Sequence, residues 1–301
     1  MIHTRPILPS FGFTGHETFP FRLGWLHKGV TAVKSDPTIF SRDDAIITLG
    51  VGKNMVRSIR HWCLALGLIT DVERGSYEIT KLGELMFGPE GADPYLEDIG
   101  TLWWLHWRLA RNVERCTTWY YVLNYLNRPE FSKTALRDEL KQMVNESGGK
   151  VPSDRTLESD IECFVRTYTN PKKIVSEESL ECPLVELNIL KDYDKTIRLN
   201  RGDKETIPDF IFLAALVEFY QETKTNAKTM LVERVLHNEG SPGRIFLLDD
   251  NSCIQRLERL ADLTDGKIVY DSTAGMRQIL FHTVPDVLEI LQSYYQKGSA
   301  Q

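Results

Sequence analysis

Three observations predict a mainly helical protein of the α+β class with small β-hairpins. Apolar residues recur at helical spacing through much of the 301-residue chain. Short β-branched segments flank turns near residues 69–79 and 267–281. The hydrophobic content of 42% is sufficient for a packed core. The length suits two or three domains, and we place them at residues 1–92, 93–170 and 171–301.

Residues 44–66 are predicted to form two helices joined by a glycine-containing turn at 48–52. The second helix carries apolar residues at i, i+3, i+7 and i+10: Val56, Ile59, Cys63 and Leu66. Another face is basic and polar: Lys53, Asn54, Arg57, Arg60 and His61. A helix that reads DNA needs one face for the core and one for the groove. The alternative is a surface helix that is basic without binding DNA.

The segment that follows this helix favours the DNA-binding interpretation. Two short β-branched stretches surround Gly75, and an apolar stretch follows at 81–87. Helix, turn, helix and hairpin is the order of a winged helix-turn-helix, whose second helix enters the major groove. We therefore predict binding of double-stranded DNA through the basic face. Phosphate contacts are expected from Gly50, Gly52 and Arg42.

The charge is distributed unevenly along the chain. The net charge is −6, but residues 1–70 contain eight Lys or Arg and four Asp or Glu. A basic amino-terminal part on an acidic body indicates a localised nucleic-acid surface. Five cysteines without a C-x-x-C pair predict reduced thiols, with no zinc or disulfide framework. Neither a signal peptide nor a membrane-length apolar run is visible, so we expect a cytoplasmic protein.

The middle of the chain is predicted to be helical at 96–111, 117–126, 132–146 and 153–168. Its aromatic residues could stack on unpaired bases, but their helical spacing favours a core. Arg108, Arg111 and Arg115 share one face and would extend the basic surface toward phosphates. Residues 170–183 are polar, contain two prolines and are predicted to be a linker.

The last segment repeats the order of two helices and a hairpin, which predicts a second winged-helix-like module. Strands are expected at 184–190 and 196–200, and helices at the following positions: 208–220, 229–237, 252–263 and 285–296. The helix at 252–263 alternates charge signs, so we expect it to contact protein rather than DNA.

Chemical motifs are few. The stretch from Gly50 to Lys53 lacks the first glycine, the Ser/Thr and the preceding strand of a phosphate-binding loop. His16 and Glu17, with Arg22 nearby, are weak catalytic candidates that could form a general base, a metal ligand set or a phosphate site. The alternative is that they hold an irregular arm against the first domain. The sequence shows no evident cofactor or metal site.

Three stretches resemble one bacterial family: GHETFPFRLGWLHKG at 15–29, DDAIITLGVGKNMVRSIRHWCLALGLI at 43–69 and TLWWLHWRLARN at 101–112. This family is associated with DNA phosphorothioation and defence, and it includes the DNA-nicking subunit of the single-strand phosphorothioation system. The resemblance implies a protein that works beside a cysteine desulfurase, an ATPase and a sulfur transferase. It also implies DNA contact or a strand cut that opens the backbone for sulfur insertion.

Three functions are compatible with these residues. The first is a DNA-binding phosphorothioation component, with magnesium-dependent nicking as its enzymatic form. The second is a winged-helix transcriptional regulator without catalysis, which would act as a homodimer. The third is a scaffold whose winged helices bind only the proteins of the modification complex.

Overall fold

The computed structural model describes residues 10–170, 182–223 and 227–298. The chain divides into two compact units. The first comprises the described residues of Met1–Tyr95 and Arg108–Leu199, and the second those of Leu96–Trp107 and Asn200–Gln301. The predicted linker at 170–183 lies mostly outside the described residues.

Helices predominate in the first unit, which also has a hairpin and a three-stranded sheet. Its elements in chain order are α1 (Trp25–Ser35), α2 (Ala45–Leu49), α3 (Lys53–Ala65), β1 (Ile69–Glu73), β2 (Ser76–Ile79), α4 (Lys81–Phe87), the end of α5 (Ile99–Arg111), α6 (Thr117–Asn124), β3 (Glu130–Phe131), α7 (Lys133–Glu146), α8 (Asp154–Tyr168), β4 (Leu190–Asp192) and β5 (Ile197–Leu199). Both sheets are antiparallel, with the strand orders β1-β2 and β3-β5-β4.

The predicted hairpin after α3 is present. Ile69 pairs with Ile79 and Asp71 with Tyr77, and Gly75 closes the turn with a φ of +83°. A left-handed backbone of this kind is easily adopted only by glycine. Ser132 and Ser153 cap α7 and α8, because each hydroxyl accepts a hydrogen bond from a backbone N–H three residues on.

Aromatic side chains form much of the core. Trp119 of α6 packs edge-on against Phe164 of α8 inside the first unit. The tryptophans of α5 are also buried, each at 1% exposure or less. The core interpretation of these rings is therefore confirmed, because a buried indole cannot stack on an unpaired base.

The second unit contains a three-stranded antiparallel sheet with helices around it. Its elements are most of α5, α9 (Asp209–Glu222), β6 (Thr229–Leu231), α10 (Val232–His237), α11 (Pro242–Ile245), α12 (Asp250–Glu258), α13 (Leu260–Leu263), β7 (Ile268–Asp271), β8 (Gln278–Phe281) and α14 (Val287–Gly298). The strand order is β6-β8-β7.

Three predicted elements differ in the structure. Residues 184–187 lie in a 3₁₀ turn that starts at Pro183 and ends at Asn188 in a left-handed conformation, so the strand begins only at Leu190. Residues 229–231 form strand β6 rather than a helix, because they pair with β8. The helix expected at 252–263 is two helices, since α12 ends at Glu258.

The predicted class, mainly helical α+β with small antiparallel sheets, is confirmed. Within the residues that the structure describes, no helix combines the length and apolar character needed to cross a bilayer.

Candidate nucleic-acid interface

Helix α3 is anchored on one face and open on another. Val56, Ile59 and Cys63 are buried, and Ile59 and Cys63 lie against Gly29 of α1. Any side chain at position 29 would collide with the Cys63 sulfur, so the glycine allows the two helices to approach closely. The apolar stripe thus fixes the orientation of α3 in the first unit.

The basic residues of α3 point away from that stripe. Lys53, Asn54 and Arg57 are exposed, and Arg60 is partly exposed. Within the part of the chain that the structure describes, these residues form one ion pair, between Arg57 Nη1 and Glu17 Oε1 at 3.5 Å. Such a long, exposed ion pair is weak. The positive charges of this face are therefore largely uncompensated within the described residues.

The turn before α3 leaves its amino end accessible. Gly50 ends α2 with a φ of +62°, and Gly52 is the N-cap residue of α3 with an extended backbone. No side chain caps the first amides of α3, and a Cβ added at either glycine would meet no atom within 4 Å. Unsatisfied helix amides attract anions such as phosphate.

Arg42 lies close to this turn but is already paired. Its guanidinium donates to Asp44 at 2.5 and 2.7 Å and to Asp36 at 3.0 Å. Hydrogen bonds to the two carboxylates raise the pKa of Arg42, and its hydrogen bonds lower the pKa of Asp44. A phosphate contact by Arg42 would have to compete with both acids.

His61 is not on the exposed face, although its position in the helix suggested so. It is 6% exposed, because the amino-terminal arm (residues 11–22) crosses it at Gly15. Burial, reinforced by nearby His16, Arg115 and Arg60, lowers the pKa of His61 to about 3. Its imidazole is therefore neutral near pH 7 and does not add to the basic face.

His16 fastens the arm to α8. The Thr18 N–H donates to His16 Nδ1, so Nε2 carries the proton and donates to Asp160 Oδ1 at 2.6 Å. The Thr118 hydroxyl donates to the other oxygen of Asp160 at 2.5 Å. Burial raises the pKa of Asp160, while the hydrogen bond from His16 opposes the increase. Both the ring and the carboxylate are fully buried, so this network holds the arm in place.

Glu17 and Arg22 do not converge with His16 on one point. Glu17 is near Arg57, whereas Arg22 lies over the rings of Phe19 and Trp25 at 5.8 and 5.4 Å. The three weak catalytic candidates thus have three separate sets of partners. Among the described residues, no group of three or more His, Cys, Asp or Glu side chains could hold a metal ion.

Arg108 and Arg111 form the end of α5 and are partly buried. Arg108 Nε donates to the Leu66 carbonyl at 3.4 Å, just after α3. Both arginines have interaction partners within the protein. A phosphate contact by either arginine would have to compete with these partners.

The structure also forms a pocket that the sequence did not predict. It has a volume of about 260 Å³ and is lined by Gly15, Arg60, His61, Leu64, Asp71, Tyr77 and Arg115. These residues come from separate segments of the first unit. The sequence predicted that Arg115 shares a face with Arg108 and Arg111, but this spacing does not predict a pocket.

The fold and this surface define a mainly helical α+β protein with an exposed basic helix next to a β-hairpin. The chain matches the family described as "Protein of unknown function (DUF4007)" over residues 13–295, and it belongs to that family.

Two solved structures are similar to this chain, described as "SspB crystal structure" and "Magnesium ion-bound SspB crystal structure". Each has a TM-score of 0.87 and 28% sequence identity, and the match covers 95% of this chain and 88% of the other. No curated protein matches. This similarity confirms the family resemblance predicted from the three sequence stretches.

Proposed function

We propose that this protein is the DNA-binding component of a bacterial DNA phosphorothioation system and that it contacts double-stranded DNA through α3. In this proposal α2, the glycine turn, α3 and the β1-β2 hairpin act as a winged helix-turn-helix. The observation that carries it is the exposed basic face of α3, held outward by a buried apolar stripe.

The roles follow the geometry of the helix. Lys53, Asn54, Arg57 and Arg60 reach the groove, and the open amides after Gly52 take a phosphate oxygen. Arg42, Arg108 and Arg111 are secondary phosphate ligands, because their present partners compete. His61 supports the helix from inside.

The similarity to SspB supports the phosphorothioation context. The partners proposed with it are a cysteine desulfurase, an ATPase and a sulfur transferase acting in the cytoplasm. The sequence motifs of those three activities are missing from this chain, so a separate task of contacting DNA is consistent with its composition. A homodimer would let two copies of α3 contact the same duplex.

Nicking is the enzymatic form of this function. A magnesium-assisted cut needs carboxylates gathered around the ion. The described residues do not provide such a set, so they do not support a catalytic step through magnesium. One of the two similar structures is described as magnesium ion-bound, which makes magnesium a required condition of the test.

The second unit supports a second winged-helix-like module that binds protein. The order of α9, β6, the four helices α10 to α13, β7 and β8, with β8 in the centre of the sheet, resembles that of a winged helix. Arg256 of α12 is buried, and Arg259, just after it, is paired with Asp209. Without an open basic face, this helix suits a partner protein of the modification complex better than DNA.

The test uses pure full-length protein, supercoiled plasmid and magnesium, with mobility shift and open circles read on one gel. The Lys53→Ala/Arg57→Ala/Arg60→Ala variant is compared with Lys150→Ala/Arg155→Ala/Lys195→Ala, which removes equal charge from other exposed positions of the first unit. EDTA is the second control. We expect a shift with the wild type and the control variant, and its loss with the α3 variant.

The outcomes separate the three functions. Open circles that disappear both with EDTA and with the α3 variant would establish nicking that depends on this helix. A shift without nicking would leave a DNA-binding subunit or a regulator, which a search for one preferred operator sequence would separate. Equal loss in both triple variants, or no shift at low salt, would refute DNA binding through α3 and favour the scaffold.

A further inference from the structure

The pocket beside α3 shares only Arg60 with the residues proposed for the groove contact. Its walls come from four segments: the arm (Gly15), α3 (Arg60, His61 and Leu64), the hairpin (Asp71 and Tyr77) and the connection between α5 and α6 (Arg115). Two guanidinium groups face one carboxylate, so the lining carries a net positive charge. A recess with this charge suits a small anion.

The arginines of the pocket are only partly neutralised. Arg115 Nη2 lies 3.1 Å from Asp71 Oδ2, and these side chains are 37% and 56% exposed. An exposed pair of this kind is weak, so an incoming anion can replace Asp71 at Arg115. Arg60 forms no ion pair with any of the described residues. Two guanidinium groups at one recess match the several acceptor oxygens of a phosphate.

His61 supplies an unused hydrogen-bonding atom in the wall. Its Nε2 is buried and has no hydrogen-bond partner within the described part of the chain. Buried polar atoms nearly always have partners, and an unsatisfied one points to an absent water or ligand. The neutral imidazole described above can donate one N–H without requiring a second counter-charge.

Gly15 keeps the wall open. A Cβ at this position would lie 2.1 Å from His61 Nδ1, so any other residue would displace the imidazole. The arm is also held at Trp62, whose indole N–H donates to the Phe19 carbonyl at 2.9 Å. The shape of the pocket therefore depends on a fixed arm with a glycine at position 15.

We propose that this pocket binds a phosphate group, either from a nucleic-acid strand or free in solution. Arg60 and Arg115 hold its oxygens, and His61 supports them from the buried side. That a nucleic-acid strand supplies the phosphate rests on the proposed function. That the pocket binds phosphate does not. Because Arg60 also belongs to the basic face, a phosphate here would lie next to DNA on α3.

Isothermal titration of the full chain tests the proposal with three probes: inorganic phosphate, a trinucleotide with its charged phosphodiester linkages, and the same trinucleotide with uncharged methylphosphonate linkages. We expect saturable binding of inorganic phosphate, of the charged trinucleotide, or of both. Arg60→Gln and Arg115→Gln should each weaken it at least tenfold, and His61→Phe about threefold. Arg155→Gln, which changes an exposed arginine of α8, should stay within twofold of wild type. Thermal unfolding verifies that each variant folds.

The three probes distinguish a nucleic-acid strand from a free anion as the source of the phosphate group. Binding of inorganic phosphate assigns the pocket to a free anion, and binding of only the charged trinucleotide assigns it to a strand; both support the proposal. Saturation by neither inorganic phosphate nor the charged trinucleotide, equal affinity for both trinucleotides without binding of inorganic phosphate, or variants that behave like Arg155→Gln would overturn it.

A further variant separates this proposal from the function proposed above. Arg57→Gln lies on α3 but outside the pocket lining, so it should weaken plasmid binding and leave phosphate binding unchanged. Phosphate binding without any plasmid shift would leave the pocket in place and remove DNA binding. A plasmid shift without phosphate binding would support DNA binding and overturn the proposed phosphate pocket.

Discussion

Helices α3 and α12 occupy equivalent places in two similar successions of helices and strands, yet they use their arginines in opposite ways. Arg57 and Arg60 of α3 lie on its open side. Arg256 of α12 is buried and donates to the carbonyls of Ile207 and Lys204 at 2.8 and 2.6 Å. An arginine can thus serve the fold or a ligand, and the sequence pattern alone does not tell which.

The amino ends of the two helices also differ, because that of α12 is capped by a side chain and that of α3 is not. The Asp249 carboxylate accepts from the Ser252 N–H at 2.8 Å and caps α12, whereas Gly52 leaves the first amides of α3 without a side-chain cap. A carboxylate cap adds stability and removes an anion site. The helix with open amides is therefore also the helix with open arginines.

The largest expected effect concerns Arg256. Arg256→Met should lower the free energy of unfolding by about 3 kcal/mol, because it leaves two buried carbonyls without a donor and Asp209 with one partner fewer. DNA affinity should not change. Denaturant unfolding and fluorescence anisotropy measure the two quantities. A stability loss below about 1 kcal/mol would contradict the structural role.

Removing the arginines of α3 should weaken DNA binding and leave stability almost unchanged, which is the reverse of the effect expected for Arg256→Met. Arg57→Ala/Arg60→Ala should weaken DNA binding about 100-fold at 0.1 M salt and reduce the slope of log K against log salt by roughly 1.8, since two phosphate or base contacts are lost. Stability should change by less than about 0.5 kcal/mol. Anisotropy titrations at four salt concentrations would give the slope. An unchanged slope would remove α3 from the interface.

The inner side of α3 should be sensitive to acid. The pKa of His61 is about 3 in the folded protein, against 6.5 ordinarily. Between these values the unfolded chain binds the proton and the native one does not, so stability falls as pH is lowered. From pH 7 to pH 5 the loss from this group is about 2 kcal/mol.

His61→Phe should remove that part of the pH dependence. Unfolding is measured in phosphate-free buffer at pH 5 and pH 7, with a substitution at the exposed His237 as the control. If His61→Phe and the wild type lost equal stability between pH 7 and pH 5, the inference that His61 is buried in its neutral form would be wrong.

The smallest effect tests the helix ends. Gly52→Asp gives α3 the cap that α12 has, and the position has room for a side chain. We expect a stability gain of a few tenths of a kcal/mol. DNA affinity should fall roughly fivefold, because the carboxylate occupies the amides and repels phosphate. Gly52→Ser is the uncharged comparison, and equal affinity in both variants would exclude a phosphate at this turn.

Local features of the molecule were predictable from the sequence. The buried stripe of α3, the hairpin after it and the serine caps of α7 and α8 all depend on residues a few positions apart. The Asp249 cap was predictable for the same reason.

Features that need distant segments were not predictable. Strand β6 exists because β8 pairs with it, and its own residues gave a helical pattern. His61 has a basic helical position, but an arm some 45 residues earlier in the chain covers it. The pocket needs Arg115 to lie beside Arg60, which no spacing rule indicates.

The hydrogen bond between His16 and Asp160 can form only late in translation, after α8 has been synthesised. Its two residues are 144 positions apart, so the ribosome releases α3 long before α8. We expect nascent chains to display the basic helix first and to fasten the arm only when α8 has emerged. Protease digestion of stalled chains ending at residues 140 and 230 would show this as loss of cleavage within the arm in the longer chain. A fragment of this chain without α8 would therefore lack the anchor that Asp160 gives the arm, although the bond from Trp62 to the Phe19 carbonyl would remain.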